Sequence, residues 1–232
     1  MSADRSPPEI PAEAAAGDPA RLVRMSRGYA CLFWSLPLLS VAHAMALTAF
    51  LSPRWMIGAL AGCFLPLACG LWMLRAGGEG AARGNARLGR VALLALVAAD
   101  LSPFLVWWSV APTRIYFAAN AGAHYVAMIG LLAGLNGLAA ESARRMGDAA
   151  LRRESQAGLA MVLWLSVCTV GALVWLFHRA GVLEAGAPTV LAQLAQLPRE
   201  ARTLFVLPYA MTAYVMWRAK ETGFRRAVPA GS

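Results

Sequence analysis

The chain has 232 residues, 59% of them hydrophobic and 14% charged, with a formal net charge of +9. A soluble domain carries about 25% charged residues; this chain has too little polar side chain to cover its apolar surface in water, whereas lipid solvates that surface. The positive charge does not mark a nucleic-acid binder, because the basic residues fall in short groups beside apolar runs, where they act as topology signals and meet anionic headgroups. Membrane lipids are therefore the expected partners, and nucleic acid is not.

Residues 1–17 are rich in Ser, Pro, Ala and acidic side chains without an apolar period, which predicts a disordered cytoplasmic tail. Asp18-Pro19 reads as an N-cap followed by proline at the first helical position, opening a domain that runs over residues 18–226 before a flexible end, 227–232. The first apolar run is Tyr29–Leu51. Within it, Cys31–Val41 followed by Ala42-His43-Ala44 has the form of a signal-peptide core and cleavage site. The long polar leader and the continuation through Met45–Leu51 favour an uncleaved span.

Ser52-Pro53-Arg54 is a tight outer turn into the second run, Trp55–Leu74, and the glycine-rich link Gly77–Gly89 leads to the third, Val91–Ala111. Pro103 in that third run lacks an N–H, so the Ala99 carbonyl loses its helical partner and a kink or water beside Asp100 is expected. Proline also interrupts three other runs, at Pro37, Pro66 and Pro208. The fourth run, Tyr116–Ala139, passes into Glu141–Gln156, read as a helical extension past the headgroups. After the fifth, Leu159–His178, the spacing of Val190, Leu191, Leu194 and Leu197 predicts a short outer amphipathic helix that Pro198 ends. Ala201–Trp217 is the sixth.

Each run is about the length that crosses a ~30 Å hydrocarbon core as a helix. Sixteen of the 21 Lys and Arg lie in four groups: before run one, between two and three, between four and five, and after six. Arg54, Arg114, Arg179, Arg199 and Arg202 alone take the other side. The positive-inside rule then gives an all-α bundle of six spans with both termini cytoplasmic, in a bacterial-type inner membrane. Six tryptophans (Trp55, Trp72, Trp107, Trp108, Trp175 and Trp217) near run ends fit an aromatic belt.

Ionisable groups at depth are the best pointers to function in such a chain, since each is costly without a partner. His43 and His124 are at matched depth in the outer half, and Asp100 is slightly deeper. Asn120 and His124 are one turn apart, sharing a face with Ala127, Leu131 and Gly134, while Gly130-xxx-Gly134 allows close helix approach. This polar set supports three readings. It is packing glue; or Asp100 and a histidine form a proton relay in a proton-coupled transporter; or His43 and His124 are axial ligands of a b-type haem in an electron-transfer protein. No other metal site is expected. Cys31, Cys63, Cys69 and Cys168 all lie inside runs and read as small buried hydrophobes. No HExxH, GxSxG or Walker-type motif is present. The expectation is a non-enzymatic packing or assembly component, or a small permease-type subunit, working with other membrane subunits.

Overall fold

A computed structural model describes residues 18–47, 52–76, 82–111, 114–179 and 199–227. Among them the chain forms six helices and no strand: α1 Pro19–Leu47, α2 Pro53–Ala76, α3 Ala82–Val110, α4 Ile115–Arg145, α5 Ala149–Arg179 and α6 Arg199–Ala227. The expected tail 1–17, the outer amphipathic helix and the last five residues lie outside the described residues.

The helix starts follow local chemistry. Asp18 Oδ1 accepts from the Ala20 N–H at 3.0 Å, satisfying one of the donors left open at the start of α1. Pro53 opens α2, where its missing N–H costs nothing, and the Met56 N–H reaches the Ser52 carbonyl at 3.0 Å. All four internal prolines are accommodated within continuous helices, α1, α2, α3 and α6. The Ala99 carbonyl freed by Pro103 is not left open: the Ser102 hydroxyl donates to it at 2.8 Å.

The sequence reading of Glu141–Gln156 as one continued helix needs correction. α4 stops at Arg145 and α5 starts at Ala149. Between them Gly147 takes φ +64°, a left-handed conformation that glycine adopts without a side-chain clash. The Gly147 N–H bonds the Arg144 carbonyl at 3.1 Å and the Asp148 N–H bonds that of Ala143 at 2.9 Å, the pairing of a Schellman stop. Asp148 then caps the next helix, its Oδ1 accepting from Leu151 N–H at 2.9 Å. The signal was Gly147-Asp148 itself, a stop residue followed by a start residue.

Each helix packs along its neighbours in chain order, and α1 closes the ring by packing along α6. α1 and α4 face each other across the middle, where Tyr29 donates to the Leu138 carbonyl at 3.3 Å and pairs with Ser142 Oγ at 2.6 Å. The core is a column of Tyr29, Leu32, Leu36 and Leu39 from α1 against Leu131, Leu135 and Ala139 from α4, sealed by Leu67 and Leu71 of α2 and Met216 of α6. Gly130 and Gly134 turn toward α3. A Cβ at position 134 would stand 2.7 Å from Val91 Cγ2, and one at 130 would stand 3.3 Å from Leu94 Cδ1.

Four helices are long and apolar enough to cross a membrane: α1 over Pro19–Ala46, α2, α3 over Asn85–Val110, and α4. Only 33–50% of their most apolar windows is buried, so more than half of that apolar surface points outward in places. Trp55, Leu65, Trp72, Leu96, Val126, Trp164 and Val167 are all exposed. A soluble monomer does not present so much contiguous apolar surface; the arrangement suggests a protein inserted in a membrane. The cysteines depart from expectation, since Cys69 and Cys168 lie on the exposed periphery and Cys31 and Cys63 are half-buried. In hydrocarbon such outward positions are solvated, so burial in the protein is not required of them.

Candidate functional site

Three helices bring polar side chains together in the half of the bundle away from the arginine clusters. α1 supplies His43, α4 supplies His124 and α6 supplies Tyr209. His124 is 3% exposed, and its face of α4 also carries the buried residues Ala121, Ala127, Met128 and Leu131. The two imidazoles meet through their Nε2 atoms at 2.9 Å, with ring centroids 5.0 Å apart and planes tilted by 54°. His124 Nδ1 lies 2.9 Å from the Ala98 carbonyl of α3, and Tyr209 Oη lies 3.3 Å from His43 Nδ1.

The partners fix the direction of this chain. A carbonyl only accepts, so His124 Nδ1 carries a hydrogen and donates to Ala98. In a neutral ring His124 Nε2 is then bare and accepts from His43 Nε2–H, which leaves His43 Nδ1 to accept from the Tyr209 hydroxyl. The result is one directional line, Tyr209 to His43 to His124 to the Ala98 carbonyl, that ties α6, α1, α4 and α3 together. Each ring nitrogen of both histidines has a partner.

The histidines therefore do not fit bis-axial haem ligation. An iron between them would hold each nitrogen at about 2 Å, a separation near 4 Å, and the porphyrin plane would have to pass between the rings. At 2.9 Å the rings are bonded directly to each other. Among the described residues no three His, Cys, Asp or Glu side chains converge on a metal position.

Asp100 is not part of this assembly, although it is two residues from Ala98 in sequence. Two residues advance about 200° around a helix. Val91, Ala95, Ala98, Ser102 and Leu105 form the buried face of α3, which turns Asp100 to the exposed one. The expected pairing of Asp100 with a histidine is thus not formed. Asn120, one turn from His124, is turned back on its own helix and donates to the Tyr116 carbonyl at 2.8 Å.

Two polar contributors escape a reading based on depth and charge. Tyr209, beside Pro208 in α6, completes the histidine line and borders a cavity of about 40 Å³ between α4, α5 and α6. Tyr125, Ser166 and Thr169 bring further hydroxyls to that cavity. Ser166 and Thr169 donate to the carbonyls of Val162 and Leu165 one turn back. The volume accommodates a water, which needs roughly 10–15 Å³ and two to four polar partners. Asn136, wholly buried in α4, donates to the Leu132 carbonyl and to Thr212 Oγ1, both at 2.9 Å, and its Oδ1 rests against Gly158 of α5.

At the opposite end the charges are paired both within α4 and across helices. Glu141 holds Arg87 at 3.7 Å and Arg145 at 3.5 Å, and also Arg144. Glu154 holds Arg218 at 3.0 Å, and Arg226 donates to the Met146 carbonyl. Asp148 accepts from Thr222 at 3.3 Å. Backbone donation from Leu151, with Thr222, Ala150 and the Arg226 charge, outweighs partial burial and holds the Asp148 carboxyl below its ordinary value of 3.8.

No family model, curated protein or solved structure matches the chain.

Proposed function

We propose that the protein is a six-span membrane protein of the bacterial inner membrane with both termini cytoplasmic. Its role is a non-enzymatic one, as a packing and assembly component of a larger membrane unit. The observation that carries the non-enzymatic part is the closed histidine line. A general acid or base needs a free nitrogen facing a substrate, whereas here both histidines have both nitrogens bonded internally and the line ends on a main-chain carbonyl. Such a line is a clasp: buried polar groups that are fully satisfied fix one arrangement of the helices around them. The orientation is supported by the grouping of Arg24, Arg87, Arg218 and Arg226, whose contacts join the start of α1 to the end of α2, the start of α3 to the end of α4, and α6 to the start of α5 and to the α4–α5 turn.

A second reading draws on the cavity beside Tyr209. A water there, bonded to Tyr209 and to Ser166 or Thr169, would lengthen the line into a proton path, since hydroxyl, imidazole and water each accept one proton while releasing another. One experiment separates the two. In sealed vesicles with an imposed pH gradient and an internal pH dye, the clasp expects wild type and His124→Ala to dissipate the gradient at the same slow rate. A flux present in wild type and absent in His124→Ala would replace the clasp with the relay. For orientation, cysteines introduced by Arg54→Cys and Asp148→Cys in a cysteine-free background should label from opposite sides.

A further inference from the structure

The outward face of α3 carries Leu93, Leu96, Val97, Asp100 and Trp107, all exposed. Asp100 precedes Val110 by ten residues, about 15 Å of helix and about half of a ~30 Å hydrocarbon core. On the six-span reading, on which this inference rests, its carboxyl lies near the bilayer midplane and points away from the bundle. No hydrogen bond or ion pair reaches it from the described residues. A carboxyl at that depth is retained where another group partners it, and apolar chains offer none.

The described part of the chain does not contain that partner. Its six apolar runs hold one Arg or Lys, Arg202, close to the outer end of the last. His43 and His124 are bonded to each other. A second copy docked through the same face would set Asp100 against its own like. We infer that this face of α3 docks a membrane-spanning helix of a different subunit, one that carries a lysine or arginine at mid-depth. Asp100 is the anion of the interhelical pair, and Leu93, Leu96 and Val97 are its apolar seat. The polar contact then selects the partner, because a helix with leucine at that level leaves the carboxyl alone.

The test uses the full chain in phosphatidylcholine vesicles, donor-labelled on a C-terminal tag, with three acceptor-labelled leucine-rich spanning peptides that differ only at the central residue: Lys, Leu or Glu. Energy transfer to the Lys peptide should appear at about tenfold lower peptide-to-lipid ratio than to the Leu peptide. The Glu peptide should not exceed the Leu peptide. Asp100→Asn, checked for unchanged helicity and elution, should remove the Lys preference. Equal transfer to the Lys and Leu peptides would overturn the inference, as would strong transfer between two labelled copies that Asp100→Asn abolishes, which would assign the face to a homodimer. A nitroxide at Asp100→Cys, in a cysteine-free background, separates this failure from that of the topology. Oxygen access with little access to a water-soluble nickel complex keeps the residue in hydrocarbon; high nickel access would remove the six-span premise itself.

Discussion

The two ends of the bundle solve the same problem, joining helices through polar groups, in opposite ways. At the arginine end many contacts overlap: one glutamate meets three arginines, one of them from another helix, and a second ion pair, a cap, a threonine hydroxyl on Asp148 and a carbonyl contact lie close by. The Glu141 and Arg144 side chains are 30% and 47% exposed, so water replaces any contact that is lost. At the histidine end one line with the buried His124 at its centre and half-buried His43 and Tyr209 beside it joins four helices among the described residues. Exposed, redundant charge pairs contribute little stability each, while a line centred on a buried histidine makes its members costly to remove.

The largest effect is therefore expected from His124→Ala. It strands His43 Nε2 and the Ala98 carbonyl together and should lower unfolding stability in detergent by about 2 kcal/mol. Pairing it with His43→Ala gives a double-mutant cycle whose coupling should be about 1 kcal/mol; strict additivity would mean that the 2.9 Å contact contributes nothing. Tyr29→Phe tests whether burial or the choice of end decides. The hydroxyl lies next to the arginine end but is buried, bonded to Ser142 and Leu138, and its loss should cost about 1 kcal/mol.

Asp148→Ala removes a helix cap and should also cost about 1 kcal/mol at pH 7. Its pH dependence has a fixed sign. The folded carboxyl titrates below 3.8, so its charge-dependent contribution is complete above that pH and fades as pH falls through the folded value. Melting curves of wild type and Asp148→Ala should accordingly draw together only as pH falls below 3.8. The smallest change is expected from Glu141→Gln, below about 0.5 kcal/mol. A loss several times larger would erase the contrast between the ends.

The positions of the helices were legible from hydropathy alone, and so was the matched depth of His43 and His124, because depth is simply distance along a helix. Rotation was much harder to read. In a soluble helix the outward face is polar and marks itself, but α3 presents Leu93, Leu96 and Val97 outward and Val91, Ala95 and Ala98 inward. With both faces apolar, nothing in composition tells which side Asp100 joins. The only mark was size, small residues facing the neighbouring helix and larger ones facing out, a weaker signal than polarity. Asn136 and Tyr209 were missed for a related reason. Neither is charged, so neither stands out when ionisable groups at depth are sought, yet each makes a bond between helices, buried for Asn136 and half-buried for Tyr209.

The packing of α1 along α6 has a consequence for synthesis. Synthesis runs from the N-terminal side, so α1 is made before α6, the helix it packs along, and the histidine line gains Tyr209 only once α6 is present. Until then His43 and the adjoining face of α1 are unfinished, open to whatever quality-control factors survey the membrane. A chain that terminates ahead of residue 199 keeps α1 to α5 of the described helices and the His43–His124 contact but lacks the α1–α6 packing and Tyr209.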